Sequence, residues 1–433
     1  MRFAISRRWM IFFTACLLFV LSQFYRASIA VIAPELISDL GLDTRGLSLI
    51  SASFFYTFAI MQIPISMYLD AIGPRIAMTA LSLLGVAGAL VFACGESIGA
   101  LVSGRLLLGA GMACNLMGTL KLITLWFGPL RFATMSALAL SFGTLGNMTA
   151  ATPLVLMVQF MGWRMTFIVF SGINLLLTIL FFVVVRDRPK DPGYGELPPA
   201  VSTNLKKILA NLRDLIREKD YWIISLGTFC RYGIFAAVQT LWAGPYLMTV
   251  IGISPVATGN MLLLMGVGMI TGSTVCGWLS DSLFKTRKGV IIAGLVGMIL
   301  VLAILAGLPP GTNLTVLSVL FFGFGFFTSS GQVMYAHIKE RMPVEHAGTA
   351  MTGVNFFTMV GVAAFLQGLG NLMQYLYPGE SFGAPAFRVA FFFCTACLVL
   401  TLALYGFTVE THGKNKPLSE PKLAISGKGS ATE

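Results

Sequence analysis

The chain has 433 residues, 56% of them hydrophobic and 11% charged, with a formal net charge of +11. A soluble domain carries roughly 45–50% apolar and about 25% charged residues, so this composition excludes a soluble globular protein and indicates a polytopic membrane protein. The seven cysteines all fall in apolar runs and suggest no disulfide framework.

Apolar runs long enough to cross a bilayer fall at 9–33, 47–69, 77–95, 100–124, 132–157, 165–185, 221–246, 257–280, 289–308, 314–337, 348–376 and 386–408. The first is too long for a signal-peptide core and lacks a small-residue cleavage site, so it is expected to remain in the mature protein. The one long polar segment, 186–220, divides the twelve spans into six and six. With the N-terminus placed in the cytoplasm, 22 Lys and Arg lie on the cytoplasmic side and three, Arg45, Arg164 and Arg388, on the other. That bias predicts that both termini are cytoplasmic. It also accounts for the net charge through residues in solvent or at lipid headgroups, with no nucleic-acid partner.

The first span, WMIFFTACLLFVLSQFYRASIAVIA, contains Arg26, eight residues or about 12 Å before Pro34, where the span is expected to end. A guanidinium at that depth costs at least about 2.5–3.5 kcal/mol and keeps its proton. Two readings are open. The arginine pairs structurally with a backbone carbonyl or a nearby acid such as Glu35, or it binds an anion in a transport cavity.

After the second span comes Ser66-Met-Tyr-Leu-Asp70-Ala-Ile-Gly73-Pro-Arg75, and after the eighth comes Gly277-Trp-Leu-Ser-Asp281-Ser-Leu-Phe-Lys285-Thr-Arg287-Lys288. Each sets an acid at a helix end and basic residues in a short cytoplasmic turn. Their matching places in the two halves point to an internal duplication. They make Asp70, Arg75, Asp281 and Arg287 candidate gating residues, forming charged clamps that close in one conformation and open in another.

These acid turns resemble those of the major facilitator superfamily. So do Arg105-Leu-Leu-Leu-Gly109-Ala-Gly111 in the fourth span and, in the fifth, Ser141-Phe-Gly143-Thr-Leu-Gly146 with Thr152-Pro153. The resemblance covers essentially the whole chain. One departure is Ala71, where the family usually has a basic residue. The resemblance implies an all-α polytopic membrane fold of 12 transmembrane helices in two pseudo-symmetric six-helix bundles. The domains are then 1–185, a cytoplasmic linker at 186–220, 221–410 and a cytoplasmic tail at 411–433. It further implies a secondary transporter of the plasma membrane (a bacterial inner membrane), with spans 1, 4, 7 and 10 lining a central cavity.

Those four spans are read as faces. Thr228, Arg231, Phe235 and Gln239 share one stripe, and Arg105, Leu108, Met112, Asn115 and Thr119 share another. Lys121 faces away from the second stripe and is expected to snorkel to the interface. The tenth span offers Ser329, Ser330, Gln332 and Tyr335. Asp70, Asp281, Glu35, Glu96 and Glu340 all fall at span ends, so the cavity is net positive and its natural counter-ion is the cargo. The expected site is therefore Arg26 and Arg231 binding one small organic anion jointly. Gln62, Asn115, Asn147, Gln239 and Asn355 are expected to add neutral hydrogen bonds.

A narrower resemblance, to organophosphate–phosphate antiporters, rests on Tyr25-Arg26 and Arg231-Tyr232-Gly233. Measured back from Pro245, however, the position matching that group's second arginine is Ala237. The group's second-helix lysine is Gln62 here, and its fifth-helix histidine has no equivalent. A carboxylate is thus at least as apt a cargo as a phosphate ester.

An exporter of a drug-like or siderophore-like compound with the same fold is the alternative. A membrane enzyme is excluded: His337, His346 and His412 have no acid partner in an acyltransferase pattern, and no metal cluster or phosphate-cradling loop appears. Cys394-x-x-Cys397 is read as helix packing. No cofactor or metal is expected. The expected partners are the anionic substrate and membrane lipids, and the protein is expected to be a monomer.

Overall fold

The computed structural model describes residues 2–187, 215, 217–342 and 344–411. Within them the chain is all α-helical. It runs α1 (Arg2–Ala27), α2 (Ile29–Leu40), α3 (Thr44–Ala71), α4 (Gly73–Cys94), α5 (Ile98–Met112), α6 (Asn115–Phe127), α7 (Pro129–Thr149) and α8 (Thr152–Val184). It resumes with α9 (Lys219–Ala237), which widens into π-helical turns over 238–251. Then come α10 (Pro255–Trp278), α11 (Arg287–Gly307), α12 (Leu314–Thr328), α13 (Gly331–Arg341), α14 (Val344–Leu376) and α15 (Ala384–Tyr405). Ten helical stretches among the described residues are long and apolar enough to cross a membrane. The protein is an integral multi-pass membrane protein.

Two expected spans are corrected. The first span does not end at Pro34: α2 carries the proline inside it and continues to Leu40. Helical chain therefore continues for fourteen residues past Arg26, through the interruption at Ser28 to Leu40. Proline cannot donate to the carbonyl four residues back. That carbonyl, of Ala30, is instead pressed by Gly244 from the second half of the chain, where an added Cβ would lie 1.8 Å from the oxygen. The second correction is a break at 150–151 inside the expected fifth span; the expected boundary between the fifth and sixth spans is where α8 turns, as two helices meeting at Gly162. That residue has φ 76° and ψ 162°, a backbone that glycine adopts without strain.

Within the first half α4 packs on α5 and α8, and α3 on α5; within the second, α9 packs on α14, α10 on α12 and α11 on α15. Across the halves α3 lies on α14 and α8 on α10. The helix-4 motif glycines are contact points. A Cβ on Gly109 would lie 2.2 Å from the Phe54 oxygen of α3, and one on Gly111 would lie 2.3 Å from the Gly85 nitrogen of α4.

The first and fourth expected spans are each interrupted, at Ser28 and at 113–114, and so is the tenth, at 329–330. Each interruption frees carbonyls that a continuous helix would satisfy. In an apolar medium those carbonyls must find other donors.

The helix ends carry a repeated device. Asp187, just past α8, accepts the backbone N–H of Arg75 at 2.8 Å, in the first turn of α4. Glu410, just past α15, accepts the N–H groups of Arg287 at 2.9 Å and Lys288 at 3.0 Å, in the first turn of α11. A carboxylate there satisfies orphan donors and complements the positive end of the helix dipole.

Candidate functional site

A cavity of about 270 Å³ lies where α1, α3 and the α5–α6 break face α9, the α12–α13 break and α14. Arg26 and Gln62 line it from the first half, and Arg231, Gln332, Tyr335 and Asn355 from the second.

Arg26, in the last turn of α1, is 9% exposed. Its Nη2 donates to the Tyr232 hydroxyl at 2.9 Å across the two halves, and the same nitrogen lies 4.0 Å from the Met359 sulfur. The guanidinium carbon sits 5.1 Å from the Phe55 ring centroid and 5.6 Å from that of Tyr232. Aromatic faces stabilise a cation without neutralising it. None of the described salt bridges involves Arg26, so the expected alternative of a structural pair with Glu35 is not what the structure contains.

Arg231 also reaches the cavity wall, but it is tied down. Its Nη1 donates to both the backbone oxygen and, at 3.1 Å, the hydroxyl of Thr328, the last residue of α12. The guanidinium lies flat on Gly331, where a Cβ would be 1.8 Å from its central carbon. The serine pair that follows Thr328 opens the helix, and the arginine caps the carbonyl exposed at the break. A cation at a helix C-terminus also complements the negative end of the dipole.

Arg105 does the same in the first half. It is fully buried, its Nη1 donates to the Tyr25 oxygen at 2.7 Å, and its guanidinium stacks 4.7 Å from the Phe54 ring centroid. Tyr25 lies in the last turn of α1, so Arg105 caps the break immediately beside Arg26. Lys121 donates to the Leu69 oxygen near the end of α3 and does not line the cavity.

Of the neutral residues expected at the site, Gln62 and Asn355 line the cavity. Asn115, Asn147 and Gln239 are not among the described residues that line it. Asn115 is fully buried and donates to the Leu18 oxygen of α1 at 3.1 Å. The backbone stays helical through 113–114, and the stripe that began at Arg105 continues, but it runs along α1: Arg105 meets Tyr25, Met112 meets Ser22, Asn115 meets Leu18 and Thr119 meets Ala15. Gln239 sits in the first π-helical turn, whose wider winding moves it off the stripe of Arg231. Asn147 lies near the end of α7 and is partly exposed.

Sequence reasoning missed Tyr232 as a partner of Arg26, and it missed Thr358. The Tyr335 hydroxyl lies 3.2 Å from the Thr358 hydroxyl and 3.4 Å from the Asn355 oxygen. Adjacency to Arg231 was the available signal for Tyr232.

At the helix ends away from the cavity, Arg287 spans Glu340 on α13, at 2.7 Å from Nη2, and Asp281. Arg341 pairs with Asp220. The Arg75 side chain donates to the Phe182 oxygen of α8 at 2.9 Å. These described contacts of Arg75 and Arg287 each stay within one half. The side chain of Asp70 lies outside the described residues. His337 is held between the Tyr405 hydroxyl at 2.7 Å and the Val409 oxygen at 2.8 Å. Among the described residues no cluster of metal-ligating side chains occurs.

A family model described as Major Facilitator Superfamily matches residues 15–366 and, in a second match, 224–429. The chain is 27% identical over 385 residues to the probable sulfoacetate transporter of Cupriavidus necator, covering 84% of this chain and 87% of that one. It is 24% identical over 422 residues to the D-galactonate transporter of Escherichia coli O6:H1, covering 87% and 90%. Its fold is similar to the crystal structure of a bacterial homologue of the human lysosomal transporter Spinster. The TM-score is 0.75 at 17% identity, with 92% of this chain and 96% of that chain covered.

Proposed function

The chain belongs to the Major Facilitator Superfamily, and on that premise we propose that it is a secondary transporter of a small organic anion, working by alternating access. It is a transporter rather than an enzyme, an integral multi-pass protein of the bacterial inner membrane. In this reading α3 and α7 complete a set of twelve transmembrane helices, arranged as bundles 1–185 and 221–410 around the linker 186–220. Both termini and the tail 411–433 face the cytoplasm, and the protein works as a monomer in contact with membrane lipid.

The observation that carries the reading is Arg26. It is a buried guanidinium at the meeting of the two halves, flanked by aromatic rings and a tyrosine hydroxyl, with no carboxylate among its described partners. The cargo supplies the missing charge. A charge-assisted hydrogen bond in such a water-poor site is roughly twice as strong as a neutral one. Arg231 adds positive potential from the wall while its Nη1 stays on Thr328, and Gln62 and Asn355 supply neutral hydrogen bonds.

Binding from both sides gives the anion a route to coupling. It bridges Arg26 in the first half and polar groups in the second, so the halves move together only when the cavity is occupied. Asp281–Arg287 and the turn holding Asp70 and Arg75 act as clamps within each half whose rearrangement accompanies that motion. The cavity, at about 270 Å³, is below the roughly 300–1,000 Å³ typical of sites for drug-sized ligands. That favours a small acid over the drug-like cargo of an exporter. The sulfonate-carboxylate and sugar-acid cargoes named for the two relatives are anions of suitable size.

The test is a thermal-shift screen of the purified protein against sulfoacetate, aldonates and sugar phosphates, because a ligand of the folded state raises apparent stability. The expected outcome is a rise with at least one carboxylate or sulfonate that is lost in Arg26→Ala. An equal rise in wild type and Arg26→Ala removes Arg26 from the site.

A further inference from the structure

A second cavity, of about 760 Å³, lies outside the transport path, on the flank of the second half. Its walls are Phe229 on α9, Phe365 and Leu369 on α14, and Phe393 on α15, with Gly368 as floor. Its mouth, at the end of α14, is polar, with Asn371 and Gln374 beside Arg45 from the start of α3. We propose that this groove is a seat for one phospholipid with an anionic headgroup, whose phosphate meets Arg45 and whose acyl chain lies along α14.

Three observations converge. The first is length. The lining of α14 runs from Ala364 to Tyr375, twelve residues, a rise of about 16 Å along the helix. That is half of the roughly 30 Å hydrocarbon core, the depth of a single leaflet. The second is charge. Arg45 is exposed, and among the described residues its guanidinium has no hydrogen-bond or ion-pair partner. It stands where the polar mouth meets the apolar trough, which places a cation at headgroup level over an acyl-sized slot. The third is that its position is fixed. The neighbouring Thr44 hydroxyl donates to the Gly370 oxygen at 3.1 Å and to the Gln374 side-chain oxygen at 3.3 Å. These bonds pin the first turn of α3 to the end of α14, so the backbone that carries Arg45 is held at the mouth of the groove. In the proposed topology this mouth opens to the outer leaflet. The lipid would lie against both α3 of the first half and α14 of the second, which makes it a contact between the halves as well as a filler.

Gly368 provides the clean test, because a Cβ there would meet nothing within 4 Å. Gly368→Phe therefore sets a ring into the groove from a Cβ that meets no neighbour, and Arg45→Gln removes the charge without touching the trough. The protein is released from mild detergent in a mass spectrometer after incubation with equal amounts of phosphatidylglycerol and phosphatidylethanolamine.

Wild type is expected to retain one phosphatidylglycerol per chain with a preference of about fivefold, the scale of one basic residue at an anionic surface. Arg45→Gln should bring the two lipids to parity, and Gly368→Phe should lower retention of both. Equal retention of the two lipids by wild type overturns the proposal. So does a preference that survives Arg45→Gln, or retention unchanged in Gly368→Phe. A lipid-free dimer in the same spectrum would assign the groove to a second copy of the chain and overturn it equally.

Discussion

The two halves of the chain use the same device with the roles exchanged. In the first half the arginine belongs to the fourth span: Arg105 of α5 caps the Tyr25 oxygen at the end of α1. In the second half it belongs to the seventh, the first of its half: Arg231 of α9 caps the Thr328 oxygen at the end of α12. Because α5 supplies the cap in the first half, the arginine of α1 itself is left to face the cavity. Because α9 uses its own arginine for the cap, no equally free cation from the second half is found among the described residues that line the cavity. Two similar halves thereby make a one-sided cavity, with Arg26 as the one available guanidinium among those residues. Such a site suits a singly charged acid group better than a doubly ionised phosphate.

The largest expected effect tests the free member of the trio. Arg26→Ala should weaken anion binding by about 30-fold or more, the scale of losing one side of a buried charged pair. Uptake into proteoliposomes should fall with it, at normal membrane insertion. Next comes Gly331→Ala. The added Cβ collides with Arg231, which must leave Thr328, and overpacking of this kind costs about 1–3 kcal/mol. The thermal midpoint should drop, and the released guanidinium should shift selectivity towards dianions. A lowered midpoint with unchanged selectivity would mean that Arg231 has nowhere to go in the cavity.

A smaller effect is expected for Arg231→Lys, which keeps the charge and one donor for Thr328. Binding should change by less than about threefold, within the scale of a single neutral hydrogen bond, whereas Arg26→Lys, which loses the planar fork, should cost clearly more. Equal losses at the two positions would break the asymmetry. The smallest effect should come from Glu410→Gln, which keeps an acceptor for α11 but removes the charge at the helix terminus, about 0.3–1 kcal/mol. Asp187→Asn should behave alike at α4, since the halves do match there.

What the sequence revealed follows from what each feature depends on. Apolar runs and charge bias are local, so most helices and the placement of Arg26 could be read directly. The fate of Arg231 could not, because it depends on a break at 329–330 in another helix. The Thr-Ser-Ser-Gly run there is only a weak sign inside an otherwise apolar span. Asn115 stays on the face of Arg105, but there that face bonds to α1 and not to the cavity; Gln239 was assigned by carrying one helical period into a π-helical turn, and it does not line the cavity. Pro34 was read as an end because proline usually stops a helix. In α2 it does not: the helix runs on to Leu40, and the Ala30 carbonyl that the proline leaves without an N–H is packed against Gly244.

That bare carbonyl also bears on how the halves move. Most contacts across the molecule are side chains that interlock, and the Arg26–Tyr232 bond must be broken or remade when the halves tilt. At Ala30 and Gly244 the backbones touch with no side chain on the glycine and no proline N–H anchoring the oxygen. A rotation there exchanges no bond and unlocks no rotamer. In the proposed mechanism that point would serve as a bearing, and the barrier to switching would be set by the cargo and the charged clamps rather than by friction between the helices.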